Sequence, residues 1–435
     1  ALSPDGKKVA LIARGEVFAG SVKDGGDAAQ VTDTPAAESH VTWSPDSKRI
    51  VYASERDGSM DLFQYEFATE TESRITATPD TDAAPSFSPD GKSLAFIRNS
   101  RAVFIYDIEA KREREVSKLF TDPSPLLGRD ALQWSPDNKW IAFLTNAPEN
   151  RSYVNVSVVP AAGGPARPIS FLSNSNSSSL AWSPDGSYIL FDSSQRTEEG
   201  IIARIDLKLR TPRFREDQFR DLFRQENPQD RRPPLPASTP TPAPSPTASP
   251  EKKDAAKNVE IVFEDIKRRA SFINTGVDNG NVAISPDGKT LLISASAEGQ
   301  MNLYTRSLEE LATDNSSKQI TSTPGFKSQV QFSPDSKEVY YIENGRINVV
   351  GLERRDVRPL SLNININVDF AREKMEVFKQ GWRFLRDNFY DDKYHGADWN
   401  AVRTTYEPLI SSAKTIDEVR RLMNMMVGEL NASHL

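Results

Sequence analysis

Apolar residues along this chain follow two different periods, and the change falls near residue 368. Before it they come as short runs rich in β-branched and aromatic residues, Val9–Ile12, Ile50–Ala53, Leu94–Ile97, Ile141–Leu144, Ile189–Phe191, Leu291–Ser294 and Val339–Ile342, which predict strands. Each run follows a Ser-Pro-Asp tripeptide, whose seven copies begin at Ser3, Ser44, Ser88, Ser135, Ser183, Ser285 and Ser333. The tripeptide has the chemistry of a turn. Ser opens it, Pro presets φ at the second position and Asp takes the third; Gly6, Gly91, Gly186 or Gly288 stands fourth, where Ser47, Asn138 and Ser336 substitute. Trp43, Phe87, Trp134, Trp182, Ile284 and Phe332 directly precede the turn as apolar ends of an incoming strand. A third run (Asp61–Tyr65, Val103–Tyr106, Met301–Tyr304) and a short fourth complete most units. Such turn residues serve geometry, so no catalytic role is assigned to them.

The copies are spaced by 41, 44, 47, 48, 102 and 48 residues. Four strands in a period of roughly 40 to 50 residues make a propeller blade, and radial closure hides the sheet edges. The predicted fold is therefore mainly β: a seven-bladed β-propeller over residues 1–366, then a small α-helical domain over 367–435. Only Ala1-Leu2 precede the first turn, so the first blade is expected to lack its innermost strand and the chain to be a fragment.

The long gap exceeds one blade by about 55 residues, judged against a period of roughly 45. Much of the excess, an insertion over 211–258, is Pro-, Ala-, Ser- and Thr-rich, and from about residue 229 it is expected to be largely disordered because it cannot bury a core. A tolerated surface insertion is preferred to a proline-rich recognition motif. Phe214–Phe223 before it has helix-like spacing, and Val259–Phe263 after it reads as a strand re-entering the same blade.

Beyond the seventh blade, Asn363–Val368 alternates strictly and predicts a strand leaving the propeller. Three helical stripes follow: Phe370, Met375, Phe378, Trp382, Leu385 and Phe389; then Trp399, Val402, Tyr406 and Leu409; then Ile416, Val419, Leu422, Met423, Met426, Val427 and Leu430. Thr415 with Glu418 forms a capping box for the third helix. The aromatic and Met stripes are read as helix packing.

With 37% hydrophobic and 26% charged residues the chain has a globular composition, and no stretch approaches the length of a membrane span. The net charge of −7, with basic residues scattered among acids, argues against a nucleic-acid partner. There is no cysteine, and three histidines, His40, His395 and His434, are too dispersed for a zinc site, so no metal or cofactor is predicted. The propeller shows no Gly-x-Ser-x-Gly pattern, no glycine-rich phosphate loop and no telling pair of carboxylates. His40 precedes a strand and could line the channel, but a lone His in such a place is read as a satisfied residue; His395 is read as a loop residue between two helices. Ser433-His434 stands where an amphipathic helix hands over to a loop, which spacing alone would call a plain helix terminus.

The segments Phe389-Tyr390-Asp391, Gly396-Ala397-Asp398-Trp399, Tyr406-Glu407-Pro408-Leu409 and Gly428–His434 resemble the first core subdomain of the tricorn proteases, large serine peptidases. Ala13–Phe18 and the seven turn repeats resemble the family's second, seven-bladed propeller, so the resemblance covers the whole chain. It implies that His434 is the general base and Ser433 an orienting residue beside it. It also implies that the nucleophilic Ser, the supporting Glu and the oxyanion-hole amides come from a later subdomain, so that this fragment would be inactive alone. Peptides are the implied partners, a homohexamer the implied assembly, and the propeller a channel for substrate or product. The Pro-rich insertion departs from the archaeal pattern and suggests a bacterial member; a cytoplasmic location is expected, with the periplasm as alternative. Two other readings stand beside this one: a non-catalytic interaction platform, and a prolyl-oligopeptidase-like enzyme, which would need an α/β-hydrolase domain with Gly-x-Ser-x-Gly.

Overall fold

The structure, a computed structural model, describes residues 1–121, 127, 128, 130–147, 150–173, 177–194, 199–211 and 258–432. Seven antiparallel sheets follow one another along the chain. Their first strands are Lys8–Ala13 (blade 1, whose inner position is discussed below), Glu38–Trp43 (blade 2), Asp82–Phe87 (blade 3), Leu132–Trp134 (blade 4), Leu180–Trp182 (blade 5), Asp278–Ile284 (blade 6) and Lys327–Phe332 (blade 7). Blades 2 to 7 have four strands in sequence order, as the repeat predicted.

The second strand of each blade is sandwiched between neighbouring blades on both faces. Ile50 to Ala53, Leu94 to Ile97 and Ile189 to Phe191 are all at most 2% exposed, which is why these runs are continuously apolar instead of alternating.

The Ser-Pro-Asp turns link first to second strands and so share one rim. In all seven the fourth residue's N–H donates to the carbonyl of the opening Ser, at 2.8–3.0 Å. All seven opening serines are buried, and each hydroxyl accepts the N–H five residues on, as from Trp140 to Ser135 at 2.9 Å. The fourth position has φ between 60° and 74°, the region that favours glycine. Where it is not glycine, its side chain reaches the turn of the preceding blade: Ser47 Oγ accepts from Asp5 N, Asn138 Oδ1 from Asp90 N and Ser336 Oγ from Asp287 N, at 3.0–3.1 Å. Trp43, Trp134 and Trp182 add indole N–H bonds of 3.0 Å to carbonyls of the preceding blade, at Ala1, Ser86 and Gln133.

Blade 1 differs, as expected. Ala1-Leu2 occupy the inner position beside Val9 and Ala10, with Ala10 N donating to Ala1 O at 2.8 Å. The ring closes here by other means. Leu2 N donates to Gln331 Oε1 of blade 7 at 3.0 Å, Gly6 stands against Pro334, and Leu362-Asn363 pairs in parallel with Gly26-Asp27. Leu2, Val9, Tyr340, Val349 and Leu360 bury an apolar seam across the joint.

Two strand expectations are corrected. Val259–Phe263 forms no strand; the fourth strand of blade 5 is Ala270–Ile273, preceded by a single 3-10 turn at Ile266–Arg269. Val259 and Ile266 are instead buried as plugs in the core between blades 4 and 5, so their apolar character reflects packing and not a ladder. Of Asn363–Val368 only Asn363 is paired, and the rest runs to the helices without a partner strand. Phe214–Phe223 and nearly all of the 211–258 insertion lie outside the described residues.

Three helices end the chain: α1 (Phe370–Asn388), α2 (Trp399–Ser412) and α3 (Ile416–Gly428). Their starts are capped by Asp369, by Asp398 and by the Thr415/Glu418 box. The predicted stripes form their core, with one drift: Leu409 is 42% exposed, and Ile410 and Ala413 are buried in its stead, because 100° per residue carries the face from Tyr406 to the position four on.

Candidate functional site

Second-to-third strand turns and the loops that enter each next blade lie on the rim opposite the Ser-Pro-Asp turns, here called the mouth rim. On it the helical unit docks through two ion pairs. Arg14, in the turn after Lys8–Ala13, donates to Glu373 at 2.6 Å, and Arg383 of α1 donates to Glu55 of blade 2 at 3.0 Å while also holding Glu376 at 3.0 Å. Burial pushes the Glu55 carboxyl up despite Arg383.

Within the helical unit, paired indoles tie α1 to α2. Trp382 donates to the Trp399 carbonyl at 2.8 Å and Trp399 to that of Trp382 at 3.0 Å, with the rings stacked. The buried Lys374 ammonium donates to the Ala413 carbonyl at 2.8 Å and to that of Ser411, satisfying free carbonyls at the end of α2. Beyond α3, Tyr406 donates to Glu429 at 2.9 Å and Leu430 is fully buried.

His395 then meets the chain just past α3. Its Nδ1 lies 2.9 Å from the Leu430 carbonyl and its Nε2 2.5 Å from the Tyr390 hydroxyl, while its backbone N–H donates to Asp391 at 2.9 Å. A carbonyl only accepts, so Nδ1 carries a proton and donates to Leu430. His395 therefore does sit in the turn between α1 and α2, but it also clamps the segment that runs on to Ser433 and His434. Those two residues lie outside the described residues.

His40 is satisfied within the propeller. It occupies a bulge at φ 54°, with Nε2 3.1 Å from the Leu127 carbonyl and Nδ1 2.9 Å from Ser39 Oγ, and burial holds its pKa down. The neutral ring wedges blade 2 against the loop entering blade 4.

Between the inner strands of blades 4 to 7 runs a cavity of about 980 Å³, lined by residues that include Gln133, Asn146, Ser177 to Ser179, Asn281 and Gln329. Among the described lining residues Asp130 alone is charged. Around the mouth, buried ionic groups differ from blade to blade. Glu38 accepts from Ser54, Thr34 and Arg56, and burial pushes its carboxyl up to about 7. Asp82, fully buried, takes a two-pronged contact from Arg98 at 2.7 and 2.8 Å. Asp192 accepts the N–H and hydroxyl groups of Ser178 and Ser179 and so fixes the segment entering blade 5.

Sequence reasoning missed these acids, the His395 clamp and the docking pairs, because each joins residues far apart in the chain. One signal was legible and went unread. Val31-Thr32-Asp33-Thr34-Pro35, Ile75-Thr76-Ala77-Thr78-Pro79 and Ile320-Thr321-Ser322-Thr323-Pro324 are a second repeat, whose first Thr accepts a third-strand N–H from Val17, Leu62 or Leu303 at 2.8–2.9 Å.

The class is that of a seven-bladed propeller carrying a helical unit on its mouth rim. Residues 370–428 match the family described as Tricorn protease C1 domain, and residues 1–132 match the TolB beta propeller domain. A Tricorn-like protease C-terminal subunit (putative) of Sulfurisphaera tokodaii is 24% identical over 372 residues, 80% of this chain and 38% of that protein. Tricorn protease homolog 1 of Streptomyces coelicolor is 28% identical over 130 residues, 28% of this chain and 12% of that protein. Over 64 residues, 15% of this chain and 14% of the relative, the Tol-Pal system protein TolB of Francisella tularensis is 45% identical. The crystal structure of the tricorn protease superposes with a TM-score of 0.68 at 16% identity, covering 99% of this chain and 41% of that one, a likeness of fold. The chain is thus similar to tricorn-like proteases, most specifically in the C1 match over residues 370–428, and it spans well under half the length of the tricorn relatives it matches.

Proposed function

We propose that this chain is the propeller and first core unit of a serine peptidase that cleaves peptides through an acyl-enzyme. His434 takes the proton of a serine hydroxyl supplied by a later part of the protein and returns it to the leaving amine. Ser433 orients the reacting groups, and the propeller channel passes peptides toward or away from the core. The observation that carries this reading is the C1 match over 370–428, on a helical unit seated at the mouth rim by Arg14–Glu373 and Arg383–Glu55.

The full-length His434→Ala protein is expected to lose about 10² to 10⁴ in kcat on a fluorogenic peptide, with its circular dichroism unchanged. Ser433→Ala should lose less, since a hydrogen bond and not the proton acceptor is removed. A folded His434→Ala enzyme with native kcat would overturn the assignment. That result would favour the second reading, a non-catalytic platform, which draws on the match of residues 1–132 to the TolB propeller.

A further inference from the structure

Three consecutive residues in the turn between α1 and α2 have left-handed backbone: Tyr394 at φ 50°, His395 at 53° and Gly396 at 87°. Glycine adopts that region freely, whereas the tyrosine and the histidine hold it against a steric cost. Their own neighbours keep them there. Asp391 accepts the N–H of Lys393 at 3.1 Å and of His395 at 2.9 Å, and the Tyr394 hydroxyl donates to the Arg386 carbonyl at 2.9 Å. The Tyr394 ring stacks with those of Phe389 and Trp399. So held, the turn directs the His395 imidazole at the end of α3, where Nδ1 donates to the Leu430 carbonyl.

Leu430 is thereby fixed on three sides. Its side chain is fully buried in the core of the helical unit, its N–H donates to the Val427 carbonyl at 3.1 Å, and its carbonyl takes the His395 proton. On one side of it Glu429 accepts from Tyr406, and on the other Asn431, at φ 45°, turns the chain away from the helix. Carbonyls past a helix end are ordinarily satisfied by water or by a following N–H. Here the partner is a side chain 35 residues earlier, on a strained turn, and it holds a residue only four before His434.

We infer that His395 is a positioning residue for the general base: by holding the Leu430 carbonyl it sets the direction in which the chain leaves α3, and through it the placing of His434 against the serine hydroxyl. This deepens the peptidase reading and rests on the role given there to His434. Four residues span at most about 14 Å, so the anchor stands close to the base however that span runs. A base works within hydrogen-bond reach of the proton it takes, and a misplacement of about 1 Å costs on the order of 10² in rate. His395 acts through the main chain, its Nδ1 proton being engaged by Leu430.

The test compares His395→Gly, which accepts the left-handed backbone but has no donor, with His395→Asn, which also accepts it and offers an amide N–H near the place of Nδ1. In the full-length protein on a fluorogenic peptide, His395→Gly should lower kcat about tenfold to a hundredfold, with KM within about twofold of native. Hydrogen exchange over residues 429–435 should quicken while that of α1 stays as it was. His395→Asn should restore most of both. His395→Asp, with the shape of Asn and no donor, should behave as His395→Gly and carries the test should that variant fail to fold. Native kcat in folded His395→Gly, an equal loss in the Gly and Asn variants, or a loss accounted for by the unfolded fraction in urea overturns the inference. Native kcat in His395→Gly alongside an inactive His434→Ala removes this inference alone. Native kcat in His434→Ala removes the peptidase reading, and the positioning role with it.

Discussion

The two rims of the propeller are built by opposite strategies. On the turn rim one solution is used seven times, with a buried Ser hydroxyl, a Pro and an Asp closing every first hairpin. On the mouth rim the hydroxyl of the Thr-x-Thr-Pro repeat persists, but its acceptor varies among Glu16, Asp61 and Asn302, and the buried ionic groups change from Glu38 to Asp82 to Lys327. The uniform rim holds neighbouring blades together by local, transferable bonds. The varied rim carries the helical unit, and there each blade meets different surroundings. Uniformity marks assembly, and departure from it marks what distinguishes one blade's task from another's.

The largest effect expected from breaking this contrast is on the mouth rim. Arg98→Ala strands Asp82, which is fully buried, and should cost about 3–5 kcal/mol in urea unfolding. Ser135→Ala on the turn rim removes the bonds to Asp137 and from Trp140 N and should cost about 1–3 kcal/mol. A loss from Ser135→Ala equal to or above that from Arg98→Ala would show that the repeated rim, not the varied one, concentrates the energetic risk.

The smallest effect is a difference in the sign of a pH slope. Burial opposes ionisation of Asp5 on the turn rim, but bonds from Lys8, Ser3 and Lys7 N outweigh it and hold the carboxyl at about 2. Its contribution is present above the unfolded value near 3.8 and is lost as pH falls toward 2. Glu38 behaves the other way: burial raises it from 4.5 to about 7, so its folded form binds the proton more tightly, and its contribution is full below 4.5 and lost as pH rises through 7. Glu38→Gln should flatten the fall in stability between pH 4.5 and 7, whereas Asp5→Asn should lower stability by a constant amount above about pH 4 and change the pH slope only below it. Unchanged urea midpoints across pH 4.5 to 7 in both wild type and Glu38→Gln would dismiss the assignment of Glu38.

What the sequence by itself determined follows from interactions that are short in the chain. Turn chemistry at Ser-Pro-Asp, the run of apolar residues behind it and the capping box at Thr415 each act within a few residues, so their pattern specified seven blades and three helices before any contact was known. Where apolar residues had a choice of partner, the chain could not say. Val259 to Phe263 looks like a strand but plugs a seam between blades, and Asn363 to Val368 alternates yet pairs only at Asn363. The candidate site belongs mostly to this second kind. Ser433 and His434 were nominated by resemblance, but the hold of His395 on Leu430 and the docking of Arg383 on Glu55 exist only once distant segments meet. Buried polar groups take their partners and their ionisation from whatever closes over them, and that enclosure is set by the ring of blades as a whole, not by the residues beside them in the chain.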